Sequence, residues 1–590
     1  MKIINFIENP MKHIDVKSLF LEKEPNFLNG FPKIFQNLFF TFLRKLVHEN
    51  ELNNFLSQHG DVTGINFIDE VLDFLDLSYT VSNRDRARIP MEGKVLIVSN
   101  HPLGGLDGLA LLKLVCEFRQ DVKIVVNDIM LNIENLNEFF LPVDIINPKA
   151  QKNNLENISS ALRDECAVII FPAGEVSRFT TEGIKDKNWN KGVLYFAKKC
   201  DSDILPIFIH ARNSFFFYLV SALYKNASTL LLPSEMLRKR NSSIMIKIGE
   251  PITAKTIMKG IGKSKLQIKL LQKHIDHIGK DKPGIFKTSK AIVHPLSNQI
   301  IRRKINESQL IGETYDGKQL FLVEPEDGKV IIQEIARLRE ITFRKVGEGT
   351  GSKTDIDKFD KLYSHLVLWD NKDSEIIGAY RIGICKHLLR VKGIDGLYTS
   401  TLFDFSQDFI DILPDSIELG RSFIQAKYWN TNALDLLWKG LGTFIASKPY
   451  IKYLFGSVSI SSSFPLEASS MIVFFYKKWF GYKDKIATSM NSMVISESIT
   501  KQCESLFNLD NFQEEYKILK SHLKQFDVSV PPLIKHYTNL CTEGGVNFLD
   551  FGIDPNFSNC IDGLILVDVS KMKSEKKSRY MFQQQIDKVA

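Results

Sequence analysis

A histidine and an aspartate share one glycine-rich turn in this sequence. The run Val95-Leu-Ile-Val-Ser-Asn leads straight into His101-Pro-Leu-Gly-Gly-Leu-Asp107, which sets both side chains where a strand should end. Catalytic groups of α/β folds collect at such strand ends. A neutral imidazole can take the proton of an alcohol as it attacks a thioester carbonyl, while a carboxylate fixes the tautomer and stabilises the imidazolium. Gly104 and Gly105 would let the backbone turn tightly around an acyl group. The pattern also has a plainer reading, because a histidine closing a loop and an aspartate capping a helix would look the same.

Two further pieces follow in order. The run CAVIIFP ends in Phe171-Pro172-Ala173-Gly174-Glu175-Val176-Ser177-Arg178, again a strand entering a loop with glycine and charges, and Ile204-Leu205-Pro206-Ile207 comes after it. In this order the pieces resemble the glycerophospholipid acyltransferase family, whose members carry an Asn-His…Asp motif, a Phe-Pro-Glu-Gly-Thr-Arg-like motif and a later proline-containing strand. The likeness spans roughly Val95 to Pro251. It implies an O-acyltransferase with His101 as base and Asp107 as its partner. Gly104, Gly105, Phe171, Pro172, Gly174, Glu175 and Arg178 would then surround the substrate. Two departures stand out. Five residues separate His101 from Asp107 where the family has four, and the family's motif glutamate is Ala173, with Glu175 two places on. The second argues against an ordinary glycerol-phosphate acceptor. The planar fork of Arg178 suits a carboxylate as well as a phosphate, so a lipid with an amino-acid head group would fit. A solvated loop cation is the plainer alternative for Arg178.

A second constellation lies further on, where EIIGAYRIG supplies Arg381 and SIELGRSFI supplies Glu418 and Arg421. Glu418 can accept from an amine or simply anchor Arg421. The region from about Phe321 to Val569 resembles the GNAT-like N-acyltransferases that make ornithine and glycine lipids. The likeness rests on Leu338-Arg339…Phe343, Asp357-x-Phe359-Asp360…His365-Leu366, Gly378-x2-Arg381, Glu418-Leu-Gly-Arg421-Ser422, Leu437-Trp438, Tyr453-Leu-Phe-Gly456 and the closing Asp554-Pro555-x-Phe557…Asp562. It implies transfer of a 3-hydroxyacyl group from acyl carrier protein to an α-amine. Such chemistry needs a positioned amine, a route for its proton and a splayed strand whose backbone binds the thioester carbonyl. Glu418 would position the amine or take its proton. Arg381 and Arg421 would hold the amino acid's carboxylate or the donor's phosphopantetheine, and the sequence does not choose between these roles.

Elements of two different α/β folds must position these groups. KVLIVSN, DVKIVVN, CAVIIFP, DILPIFIH and SSIMIKIGEPI alternate with helical segments. A second series, HLVLWD, EIIGAYRIG, SIELGRSFI, YLFGSVSI and GLILVDV, follows a helix at Ile331 to Phe343. The reading is an amphipathic helical region (1–80), a lysophospholipid acyltransferase-like domain (81–280), a linker (281–319), a GNAT-like domain (320–570) and a basic tail (571–590). Phe35, Leu38, Phe39, Phe42, Leu43 and Leu46 recur at helical spacing. Packing on the following domain is their plain role, and binding a membrane surface the alternative. The run Ser214 to Tyr224 could likewise be core, or an acyl groove or membrane-facing flap.

Composition narrows the partners. The 590 residues are enough for two cores, 42 of them are phenylalanine, and the net charge of +7 favours anionic partners such as acidic lipid or acyl carrier protein. Charge alone does not exclude nucleic acid, but no nucleic-acid partner is expected. Seven scattered cysteines form no Cys-x-x-Cys pair, so neither a disulfide framework nor a metal site is expected. No apolar run reaches the roughly 20 residues of a membrane span, and residues 1–20 lack a signal-peptide core. The two resemblances together imply a bifunctional aminolipid synthase, cytoplasmic and peripheral on the inner face of the cell membrane. It would acylate an amino acid (ornithine or glycine) and then the lyso-aminolipid formed. Thioesters of acyl carrier protein or CoA would be the donors, with no permanently bound cofactor. A lysophospholipid acyltransferase with an inactive or accessory GNAT-like half, and a lipid-binding protein that has lost its chemistry, remain as other readings.

Overall fold

The computed structural model describes residues 14–23, 31–127, 130–131, 133–143, 148–180, 183–223, 228, 231–259, 263–314 and 316–581. The chain forms two compact units, Met1–His294 and Pro295–Ala590.

The first unit is built on a seven-stranded sheet. Its strands are β1 (Leu77–Thr80), β2 (Val95–Ser99), β3 (Val122–Val126), β4 (Phe140–Pro142), β5 (Ala167–Ile170), β8 (Asp203–His210) and β9 (Ser242–Ile248), in the order β1-β9-β8-β2-β5-β3-β4. A small hairpin, β6 (Arg178–Thr180) and β7 (Gly183–Lys185), stands apart. β2 lies near the centre, parallel to both β5 and β8. Its apolar run has no polar alternation because both faces are covered: Val95 and Ile97 enter one core, Leu96 and Val98 the other. The helix Gly105–Cys116 begins six residues after β2 ends, so the His101 turn is pinned at both sides.

The N-terminal segment forms helices Val16–Lys23, Lys33–Val47, Glu49–His59 and Gly64–Phe74. Residues 1–13 and 24–30 of the region read as amphipathic lie outside the described residues. In the helix Lys33–Val47, Phe40, Leu43 and Val47 are buried, but Ile34, Phe35, Leu38 and Phe42 are exposed, Ile34 at 76%. Core packing therefore accounts for one stripe of that helix only. The expected packing role fails for Phe35, Leu38 and Phe42, because the helix carries apolar residues around more of its circumference than one contact face can cover.

The second unit holds an eight-stranded sheet in the order β10-β11-β12-β13-β15-β16-β19-β18. These strands are β10 (Gln309–Glu313), β11 (Lys318–Val323), β12 (Ser364–Asp370), β13 (Glu375–Ile384), β15 (Ser416–Ile424), β16 (Tyr453–Ile460), β18 (Val546–Asp554) and β19 (Cys560–Asp568). A two-stranded ribbon, β14 (Phe403–Phe405) with β17 (Ala487–Ser489), lies outside it. The defining feature is a parting of neighbours. β15 and β16 pair in parallel only from Ser416–Tyr453 to Glu418–Phe455. Beyond that point β15 stays with β13 and β16 stays with β19, which opens a wedge between them. A bulge in the β13–β15 ladder falls in the same place, and Arg421 within it has φ +49°. A side chain at positive φ is strained by roughly 1–3 kcal/mol and persists only where its surroundings impose it.

The stretch read as a linker is not one beyond His294. It carries the helix Asn298–Ile305 and β10, and Ile301 and Ile305 enter the core with Phe321, Ile335 and Trp369. Its Lys-rich composition hid two isoleucines at i and i+4 on the buried face of an otherwise charged helix. The tail contributes a helix, Ser574–Met581, whose Tyr580 is buried; residues 582–590 lie outside the described residues. A fragment starting at Pro295 is therefore expected to fold cooperatively. One starting at Asp316 loses two buried isoleucines and an edge strand, and should be less stable by about 3–6 kcal/mol, from roughly 1.5–3 kcal/mol per buried side chain. Urea denaturation of the two fragments compares them directly.

Candidate active sites

In the first unit the His101 turn is held by carboxylates. His101 Nδ1 lies 3.2 Å from Asp107 Oδ2, with Asp107 fully buried and the imidazole 18% exposed. The approach lacks the alignment of a hydrogen bond. The same Oδ2 accepts from the backbone N–H of Leu103 (2.7 Å) and Gly104 (3.0 Å). Asp107 thus caps the helix Gly105–Cys116, as the plain reading expects, and faces the imidazole at once. With Nδ1 turned to Asp107, Nε2 is left for an acceptor hydroxyl. The imidazole stacks on Phe171 at 4.2 Å between ring centroids. Gly104 has φ +93°, and a Cβ there would stand 3.1 Å from Val176. The turn and the second motif are packed that closely.

Asp186 ties the two motifs together, and the sequence reading missed it. Its carboxylate accepts from the backbone N–H of His101 (3.2 and 3.3 Å), from Ser177 Oγ (2.5 Å) and from Trp189 Nε1 (3.1 Å). Burial raises its pKa, against the pull of Ser177 and His101. Ser177 N–H donates to the His101 carbonyl at 2.8 Å, and Asn213 Nδ2 to the Pro102 carbonyl at 3.1 Å. Asn100 bridges to β8, donating to the Ile209 carbonyl and accepting from its N–H. Asn100 had a visible signal in its place beside His101. Asp186 and Trp189 had none, because they sit in a polar loop with no readable spacing.

Arg178 is not a solvated cation. It is buried, donates to Ser221 Oγ (2.7 Å) and Ser228 Oγ, lies over the Phe217 ring, and approaches Glu175 at 3.6 Å. Burial lowers its pKa. Its guanidinium thus braces the helix Phe215–Leu223 against the second motif. Gly105 and Gly174 have open space where a Cβ would stand, and Pro172 anchors its loop by accepting from Asn190 N–H at 2.8 Å.

In the second unit a buried charge network sits beside the wedge. Arg339 grips Asp360 with two hydrogen bonds of 2.8 Å. Arg381 donates to Asp357 (2.7 Å) and Asp360 (3.4 Å), and His365 Nε2 stands 3.2 Å from Asp360. Burial opposes charge on Asp360, but His365 and the two guanidiniums overcome it and hold the carboxyl far below the usual range. The sequence register dictates the assembly, since His365 pairs with Arg381 across β12–β13 and Arg381 with Gly420 across β13–β15. Arg381 is 1% exposed and committed to this network. Arg421 reaches Asp355 and Asp357 only at 3.5 and 3.7 Å.

Glu418 lies deep at the root of the wedge. It accepts from Tyr363 Oη, from Tyr398 N–H (3.1 Å) and from Thr399 N–H (2.7 Å), and burial raises its pKa. Its oxygens hold the loop that presents Tyr398, whose ring lies 5.1 Å from the Arg421 guanidinium. The structure therefore gathers Glu418, Arg381 and Arg421 around the middle of β15 but gives them different partners. Among the described residues, no group of three or more His, Cys, Asp or Glu side chains could hold a metal ion.

Comparison with known proteins agrees with this division. Residues 19–281 match the acyltransferase family and residues 338–439 the acetyltransferase (GNAT) domain family. The glycine N(alpha)-acyltransferase of Phocaeicola vulgatus is 33% identical over 303 residues, covering 49% of this chain and 92% of the relative. The lyso-glycine lipid O-acyltransferase of Bacteroides thetaiotaomicron is 31% identical over 253 residues, covering 42% of this chain and 90% of the relative. The chain belongs to the glycine-lipid type of acyltransferases. Among solved structures, the 1-acyl-sn-glycerophosphate acyltransferase PlsC of Thermotoga maritima aligns with 45% of this chain and 97% of its own. At 15% identity and a TM-score of 0.24, that likeness adds no weight.

In this bifunctional acyltransferase, Asp107 caps a helix and His101 does not, so replacing each separates chemistry from stability. Replacing His101 by Ala should reduce acyl transfer to a hydroxyl acceptor at least ~100-fold with an unchanged melting temperature. Asp107→Ala should lose the same activity and also about 1–2 kcal/mol of stability, since two N–H groups lose their acceptor. Rates and thermal melts measured side by side check both.

Proposed function

We propose that the second unit joins a 3-hydroxyacyl group to the α-amine of glycine, and that the first unit then esterifies the hydroxyl this group brings. One observation carries the reading. Two halves of a single chain each match, over nine tenths of the relative's length, a protein named for one of two consecutive steps. Each unit offers features that suit its own step. The wedge between β15 and β16 leaves backbone groups of both strands free to meet a thioester carbonyl, and His101, its Nδ1 facing Asp107, would deprotonate the alcohol through Nε2. Acyl carrier protein or CoA would present both acyl groups as thioesters, with no cofactor held permanently. Val176, buried against Phe217 and Leu231, brings no charge to the second motif, and Arg178 is already engaged, so an acceptor without a glycerol-phosphate head fits.

The O-acylation step needs access to lipid. Among the described residues no helix is long and apolar enough to cross a membrane. The exposed face of the helix Lys33–Val47 adjoins another, since Leu46 packs with Phe217 and Tyr218 while Phe215, Phe216 and Leu219 stay exposed. Together with Arg238, Lys239 and Arg240, this surface suits peripheral binding at the inner face of the cell membrane.

Expression of the wild type in a bacterial host that makes no aminolipids should yield a diacylated glycine lipid by mass spectrometry. The His101→Ala variant should accumulate the mono-acylated lyso-lipid instead, and a diacylated product from that variant would remove His101 from its role. Sedimentation with anionic vesicles tests the surface. Triple replacement of Phe35, Leu38 and Phe42 by Ser should reduce the bound fraction several-fold, from about 1.5–3 kcal/mol per apolar side chain at full burial, while leaving amide formation in solution unchanged.

A further inference from the structure

The oxygens of Glu418 are all engaged, so the amine of the acceptor must be met elsewhere on the same sheet face. β16 and β19 place Ser459 directly across from Asp562, which points both side chains to one face. Ser459 Oγ donates to Glu348 Oε2 at 3.1 Å. Cys560, two residues before Asp562, lies across from Asp554, so Asp554 shares that face, and it accepts from Tyr398 Oη at 2.8 Å. Arg421 completes the group from the parted end of β15, its guanidinium 4.5 Å from the Phe557 ring.

One of these buried groups is unspent, and another only loosely paired. Asp562 is 4% exposed, and its carboxylate accepts no hydrogen bond from a described residue. The side chain of Arg421 is nine-tenths buried, and its Nε has no hydrogen-bond partner among the described residues. Buried polar groups are ordinarily paired, so an open carboxylate and a guanidinium with an unpaired Nε and only long ion-pair contacts at the edge of the wedge mark the place of a ligand with both charges. The carboxylates are not a metal-ligand group.

We propose that Glu348 and Asp562 receive the ammonium of the acceptor amino acid and Arg421 its carboxylate, a site that rests on the N-acyltransferase reading above and deepens it. An α-amino acid carries both charges on either side of one carbon and can bridge the two. Burial and the neighbouring carboxylates raise Asp562 well above the usual carboxylate range, and burial brings Glu348 up to about 7. A carboxylate so placed accepts a proton readily. The ammonium passes one proton to this pair, and the amine lone pair adds to the thioester carbonyl carbon. The C–S bond then breaks, and the second N–H proton leaves with the thiol.

The test uses the full-length protein with glycine and a 3-hydroxyacyl carrier protein thioester. Asp562→Asn should raise the KM for glycine at least about tenfold with the KM for thioester unchanged, Glu348→Gln should lower kcat by a similar factor, and Arg421→Lys should raise the glycine KM. Wild-type activity with unchanged constants in Asp562→Asn and Glu348→Gln overturns the site and leaves the N-acyltransferase reading standing. A wild type that forms no amide from glycine or ornithine overturns the reading itself. Neutralising a buried carboxylate can also disturb folding, so the wild type is challenged with methylamine and glycolate, which carry one charge each. Both should compete with glycine at least about tenfold more weakly than glycine binds; equal competition by methylamine overturns the contact with Arg421.

Discussion

A buried carboxylate is tolerated only where donors surround it, and both halves of this protein are organised around one that is so surrounded. In the first unit Asp186 draws together the backbone of His101, the hydroxyl of Ser177 and the indole of Trp189. Those groups come from three separate loops, which Asp186 joins at one carboxylate. In the second unit Asp360 does the same for Arg339, His365 and Arg381. Removing either carboxylate would leave its donors buried and unpaired, which is why the surrounding loops have little freedom to adopt another arrangement.

From the Asp360 network follows the geometry of the wedge. Arg381 on β13 is fixed by Asp357 and Asp360, and β15 is laddered to β13, so β15 follows β13 rather than β16. The bulge at Arg421 absorbs the mismatch through a left-handed backbone. Glu418 sits at the last paired step before the strands part. Its carboxylate holds the N–H groups of Tyr398 and Thr399 in one loop and the hydroxyl of Tyr363 besides.

The two sites ask for different surroundings, and the surface reflects it. Amide formation joins a small charged acceptor to a thioester, and the second unit carries buried carboxylates and guanidiniums beside its wedge. Ester formation joins two long-chain molecules, and the first unit carries exposed phenylalanine and leucine on two adjoining helices. Exposed apolar area of this kind costs solubility unless it is used. In the proposed function the hydroxyl that the N-acylated product brings makes the second reaction possible, and one chain carries the catalysts of both consecutive steps.

Much of this was legible in the sequence because periodicity is local. The β-branched runs gave the strands, and the order of His101, Phe171-Pro172 and Pro206 carried the resemblance of the first half, as Arg339, Asp360, Arg381 and Glu418 did for the second. Composition misled where a charged stretch hides few apolar residues, as with Ile301 and Ile305 in the supposed linker. What only the tertiary structure decided is which polar groups are already spent. Arg178, Arg381 and Glu418 read as substrate contacts, yet each is engaged by partners distant in sequence, Glu418 by Tyr363 some 55 positions away. Asp186 carried no motif role at all, and Asp562 stood only at the end of a resemblance motif with no role attached to it. A hydrogen bond across a fold depends on strand register and loop closure rather than on neighbours in the chain, so the sequence names the residues able to do chemistry and the fold determines which of them are free to do it.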